Sequence, residues 1–187
     1  MNGLIYIFTG TGKGKTSAAL GMALRAICDG KKVVWIAWYK ESSWDVSEYK
    51  AGELLGENFS MFIGGKGFYF ADHSKIKKIT VGAVTDKVSE DEHKKAAKES
   101  LQKLKDILEE KKTDVVICDE LAQAAGEGLV DVADVLEILK SRGTTHLVLT
   151  GRNCPHTLID AADTVTEMRK IKHAYDKGTM AVKGLDF

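Results

Sequence analysis

An apolar run, Leu4 to Phe8, breaks at Thr9-Gly10 and leads into Thr11-Gly12-Lys13-Gly14-Lys15-Thr16. No other stretch restricts the fold so tightly. The run reads as a buried strand meeting a turn. From Lys15 the period becomes helical, with Leu20, Ala23, Leu24 and Ile27 as the expected buried stripe and Asp29-Gly30 as the stop. A strand, a glycine-rich turn and Gly-Lys-Thr opening a helix make a phosphate-binding P-loop. Successive backbone N–H groups and a helix N-terminus converge there on an anion, and small residues let the backbone come close. Thr9, Gly10, Thr11, Gly12, Lys13, Gly14, Lys15, Thr16 and Ser17 are the expected triphosphate cradle. In it, Lys15 supplies a charge to the phosphate oxygens and Thr16 a hydroxyl to Mg²⁺. The strict pattern has glycine where this chain has Thr9, and Gly10 and Gly12 compensate.

The rest of the chain fits one α/β domain over residues 1–187, since 187 residues leave little room for a second. Val33 to Trp38, Ser60 to Ile63, Val115 to Cys118, Leu147 to Leu149 and Thr164 to Thr166 read as further strands. Ser89-x-x-Glu92 is a capping box for a long helix with Ala97, Leu101, Leu104 and Leu108 inward. Asp131 caps another, carrying Val132, Val135, Leu136 and Leu139 as far as Gly143, and Pro155 opens a short one. Strands alternating with helices predict a P-loop NTPase-like (RecA-like), mostly parallel sheet with helices on both faces. Residues 41–88 show no clear period and are expected to form an irregular active-site cover with short strands.

Asp119-Glu120, at the end of a hydrophobic strand, is the expected second half of the site, able to reach Mg²⁺ directly or through water. Arg152 follows the next strand, at the same carboxyl edge, and would meet a polyphosphate. Basic and acidic residues balance at 27 each, which gives no reason to expect a nucleic acid or a membrane surface as partner. The longest apolar stretches are strand-sized, and no signal peptide precedes Leu4, so a cytoplasmic protein is expected. Cys28, Cys118 and Cys154 form no C-x-x-C pair and are expected to be buried thiols.

Three stretches resemble the P-loop type of ATP:corrinoid adenosyltransferase, an enzyme family of cobalamin biosynthesis. Phe8 to Ala19 is close to the family's F-T-G-N-G-K-G-K-T-T-A-A, which also carries threonine at the position of Thr9. Cys118-Asp119-Glu120-Leu121 is similar to L-D-E-L. The tail resembles T-G-R, A-D-x-V-[ST]-E-[ML]-R, K-H-[AP]-[FY]-D-x-G and G-I-[DE]-[FY], through Thr150-Gly151-Arg152, Ala162 to Arg169, Lys172 to Gly178 and Gly184 to Phe187.

The resemblance implies that cobalt(I) of a reduced corrinoid attacks the 5′ carbon of ATP and that triphosphate leaves. It implies catalytic roles for Lys15, Thr16 and Glu120, with Thr16, Asp119 and Glu120 around Mg²⁺. Gly67-Phe68-Tyr69-Phe70 stands where the family has G-F-T-W, so Phe68 and Phe70 would pack on the corrin. Ala37-Trp38-Tyr39-Lys40-Glu41 stands for Q-F-[IV]-K-G and keeps the lysine, so Lys40 joins the expected ATP contacts. A homodimer and a flavoprotein reductant belong to the same implication. Two other readings stay open: a P-loop nucleoside kinase or other ATP-dependent transferase, and a non-catalytic ATP-binding module.

Overall fold

The computed structural model describes residues 2–67, 69 and 88–186. Phe68, Phe70 and the β-branched patch at 79–81 lie outside them. Among the described residues six strands form one sheet: β1 (Ile5–Thr9), β2 (Val33–Ala37), β3 (Phe59–Ile63), β4 (Val115–Asp119), β5 (His146–Thr150) and β6 (Thr164–Glu167). Their order is β3-β2-β4-β5-β1-β6, and every pairing is parallel. Among the described residues the sheet is therefore wholly parallel, and not merely mostly so as expected.

Successive strand residues feed two separate cores, as the pleat requires. Ile5, Ile7, Ile36, Val116, Cys118, Leu147 and Leu149 face one side. There they meet α3 (Glu90–Glu110), α4 (Leu121–Gly126), α5 (Val132–Ser141) and α6 (His156–Ala161). Val33, Trp35, Ala37, Val115, Ile117 and Val148 face the other side. That face is covered by α1 (Lys15–Cys28), with Ala51 and Leu55 of the short α2 (Ala51–Leu55) packed at its margin. The expected helices on both faces are present.

The expected caps form. Ser89 Oγ accepts from Glu92 N–H while Glu92 reaches back to Ser89 N–H, and Asp131 accepts from Ala133 N–H at 2.8 Å. Ala97, Leu101, Leu104 and Leu108 are all buried. The stripe of α1 holds at Ala23 and is corrected at two places: Ala19 also faces the sheet, whereas Leu24 is 50% exposed. Two alanines one turn apart let the helix axis come close to the strands, and the larger Leu20 and Ile27 pack at the flanks. The thiols also differ from expectation: Cys118 is buried, Cys154 half-buried and Cys28, in the last turn of α1, exposed.

Residues 41–67 hold one turn of 3₁₀ helix (Ser47–Lys50), then α2 and β3. β3 is one of the short strands expected there, and residues 68 and 70–87 of the expected cover lie outside the described residues. No helix among the described residues is long and apolar enough to cross a membrane.

Candidate active site

The carboxyl ends of β1, β4 and β5 open into one cleft of about 820 Å³. Its floor is the loop after β1 and the first turn of α1, Thr11 to Ser17, joined by Glu120 after β4 and Thr150-Gly151-Arg152 after β5. The far wall is the C-terminal segment, including Lys170, Lys172, His173 and Tyr175. Thr9, Gly10, Lys40 and Asp119 stand behind this surface and not on it.

The glycine loop is shaped by its neighbours as well as by any ligand. β6 runs on past Glu167, so that Met168 N–H donates to Thr9 O at 2.8 Å and Gly12 N–H donates to Met168 O at 2.6 Å. A Cβ on Gly10 or Gly12 would lie 2.7 or 2.6 Å from Met168 O, closer than any side chain tolerates. The two glycines thus admit the β6 extension. Thr9 is the last residue of β1 and needs no glycine there. Lys15 Nζ folds onto the loop, donating to Gly10 O at 3.0 Å and to Gly12 O at 2.7 Å. Burial, reinforced by the Arg152 charge, lowers its pKa, and Glu120 and Asp119 pull the other way.

Behind the loop sits a buried polar knot. Thr16 Oγ1 and Thr150 Oγ1 donate to the same atom, Asp119 Oδ1, at 3.1 and 2.6 Å. Thr150 Oγ1 also accepts from Glu120 N–H at 2.8 Å. Lys40 Nζ lies 2.6 Å from Asp119 Oδ2 and 2.7 Å from Glu48 Oε1. Burial pulls the Lys40 ammonium down, but Asp119, Glu120 and Glu48 outweigh it and hold the group above its ordinary value. Lys40 is therefore the counter-ion of the aspartate that steadies Thr16, a place that spacing alone did not give.

Glu120 has φ 68°, a left-handed conformation that a glutamate adopts at some cost in strain. Its Oε2 is buried and has no hydrogen-bond partner among the described residues. Burial, and then the Asp119 charge, push its carboxyl up to about 7. An orphaned, desolvated carboxylate oxygen on the residue next to Asp119, which itself accepts from the Thr16 hydroxyl, fits a hard divalent cation such as Mg²⁺, which binds oxygen donors. Thr16 and the Asp119–Glu120 pair, expected from two separate motifs, thus lie together, through the Thr16–Asp119 hydrogen bond.

Two features escaped the sequence. Tyr39 OH donates to Glu127 Oε2 at 2.5 Å, and Gln123 Nε2, in the cleft, donates to Glu127 Oε1 at 3.1 Å. The C-terminal segment closes over the loop: Lys13 Nζ donates to Leu185 O at 2.7 Å and pairs with Asp186 at 3.3 Å, and Lys183 pairs with Asp45. The tail motifs signalled that the segment mattered, but not where it lay.

The whole chain, residues 1–187, matches the family model described as ATP:corrinoid adenosyltransferase BtuR/CobO/CobP. It is 32% identical over 186 residues to a corrinoid adenosyltransferase of Escherichia coli (strain K12), covering 99% of this chain and 86% of that protein. It is 31% identical to the corrinoid adenosyltransferase CobA of Salmonella typhimurium (strain LT2) over the same shares. Among solved structures, the flagellar accessory protein FlaH of Methanocaldococcus jannaschii has a similar fold. Its TM-score is 0.53 at 11% identity, and the match covers 88% of this chain and 70% of that one. A parallel sheet with a glycine-loop cleft and an aspartate–glutamate pair is common to many phosphate binders, but a match from first residue to last is not, and the chain belongs to the ATP:corrinoid adenosyltransferase family.

Proposed function

We propose that this chain, as a single nucleotide-binding domain, transfers the 5′-deoxyadenosyl group of ATP to the cobalt(I) of a reduced corrinoid and releases triphosphate. The observation that carries the reading is the family match over residues 1–187, and the convergence of Lys15, Thr16, Glu120 and Arg152 on one cleft with the glycine loop supports its triphosphate half. The cobalt–carbon bond forms as the C5′–O5′ bond breaks, and the bonding pair leaves with triphosphate. No proton has to move, so the protein's task is to hold a polyanion and align the ribose.

Lys15 would leave its two loop carbonyls for the phosphates, and Arg152 would neutralise charge from the opposite side. Mg²⁺ would be held by the Thr16 hydroxyl and Glu120, with Asp119 beside them, and would supply charge neutralisation on the leaving group. Asp119, locked by Lys40, Thr150 and Thr16, keeps that hydroxyl oriented. Lys40 is better read as a support of the metal side than as a phosphate contact, given its two carboxylate partners. Phe68 and Phe70 remain the proposed corrin contacts. A homodimer, a flavoprotein electron donor and a cytoplasmic setting complete the proposal.

Anaerobic incubation with ATP, Mg²⁺ and chemically reduced corrinoid tests it. Adenosylated corrinoid, read by absorbance, and inorganic triphosphate should accumulate one for one, with no ADP. Release of ADP in step with turnover would defeat it.

A further inference from the structure

The cleft has two unlike walls. The loop side offers backbone N–H groups and cations, which suit phosphates and nothing else in a nucleotide. The opposite wall is the C-terminal segment, and there Tyr175 is the one aromatic ring, apart from the imidazole of His173, among the described residues lining the cleft. Tyr175 is 57% exposed, a large apolar surface left in water on the inside of a concave site.

Its backbone, by contrast, is fixed. Tyr175 lies in a turn of 3₁₀ helix, Ala174–Lys177, where its N–H donates to His173 Nδ1 at 3.2 Å and its carbonyl accepts from Gly178 N–H at 2.9 Å. Asp176 next to it is tied to Lys170 at 3.0 Å. Met180, 49% exposed, adds a second apolar side chain to the same wall. None of the hydrogen bonds among the described residues uses the Tyr175 hydroxyl, so the ring is not serving the fold through its polar end.

We propose that Tyr175 is the platform on which the purine base of ATP stacks, with Met180 beside it, while the triphosphate lies in the glycine loop. A base offers a flat π-face to any aromatic ring, and such stacking is worth about tenfold or more in affinity. The platform also gives the C-terminal segment a task that its ionic ties to Lys13 and Asp45 do not explain, since it completes the nucleoside half of the site. This inference rests on reading the cleft as the ATP site.

Calorimetry with two probes, ATP and inorganic triphosphate, each with Mg²⁺, tests it on the wild type, Tyr175→Ala and Tyr175→Phe. Tyr175→Ala should weaken ATP about tenfold, Tyr175→Phe should stay within about twofold, and triphosphate affinity should be the same for all three. An unchanged ATP affinity in Tyr175→Ala overturns the platform, and so does an equal loss for both probes, which would mean that the side chain merely holds the tail in place. If triphosphate fails to bind even the wild type, the cleft is not the phosphate site and the inference falls with that reading.

Discussion

Lys15 and Glu120 carry opposite charges that feel one another across the cleft, and burial shifts both toward neutrality. Their variants should nevertheless behave differently. Lys15 is half-buried at the cleft and bonds two loop carbonyls, so Lys15→Ala should change the melting temperature little. It should weaken ATP by about 10- to 100-fold, the loss of a charge-assisted contact of roughly 1.5–3 kcal/mol, measured by calorimetry. Glu120 has the reverse signature. Its carboxyl titrates at about 7 in the fold against an ordinary value of 4.5, so the native state holds the proton more tightly than the unfolded chain does. Stability of the metal-free protein should therefore be fully retained below about pH 4.5, as far as this group decides it, and fall as the pH rises toward about 7. Denaturant titrations in a chelator at several pH values should show that slope. Glu120→Gln should flatten it, with a gain of up to about 3 kcal/mol at pH 8. A slope unaltered in Glu120→Gln would assign the titration to another group.

Elements whose signals are local were the ones legible beforehand. Ser89 and Glu92 stand three residues apart, and Asp131 two from the amide it caps, so no tertiary information was needed to place α3 and α5. α4 was missed for the opposite reason. Leu-Ala-Gln-Ala-Ala-Gly is buried on nearly every side, which erases the amphipathic period, and its N-cap is a left-handed glutamate with no side-chain cap. In α1 the expected stripe holds at Ala23 but takes in Leu24, whereas closeness to the sheet selects Ala19 and leaves Leu24 outside. The Tyr39–Glu127 bond spans 88 residues of sequence and had no signal at all. The loop glycines are expected to let a phosphate approach the backbone, and what the fold itself places against Gly10 and Gly12 is the β6 extension. Gly12→Ala should accordingly act on the fold as well as on the ligand. Its Cβ would collide with Met168 O, prising the β6 extension from the loop, so melting temperature and ATP affinity should fall together. Lys15→Ala, by contrast, should lower only the second. A Gly12→Ala protein that melts like the wild type would show that β6 can yield without cost.

At the scale of the whole molecule, the site is assembled from both ends of the chain, with the first loop as floor and the last seventeen or so residues as wall. The wall has little core of its own: Ile171 is 85% exposed and Leu185 72%. Its ties to the body include a Lys13 hydrogen bond to Leu185 O and the surface ion pairs Lys13–Asp186 and Lys183–Asp45, and exposed pairs contribute only about 0–1 kcal/mol each. Such a segment should open locally at small free energy, well below that of global unfolding. A bound nucleotide touching Lys170, Lys172 and Tyr175 would add contacts made only when the wall is shut, and so raise that opening free energy by mass action. Limited trypsin digestion reads this directly, because Lys170, Lys172, Lys177 and Lys183 are all potential cuts in the wall. Fragments ending at these lysines, identified by mass, should appear early without ligand, and Mg²⁺ with ATP should slow them by about tenfold or more. Inorganic triphosphate should protect less than ATP does, since it reaches the lysines but not the aromatic ring. The same rate of tail cleavage with and without ATP would mean that the C-terminal segment lies over the cleft without taking part in binding.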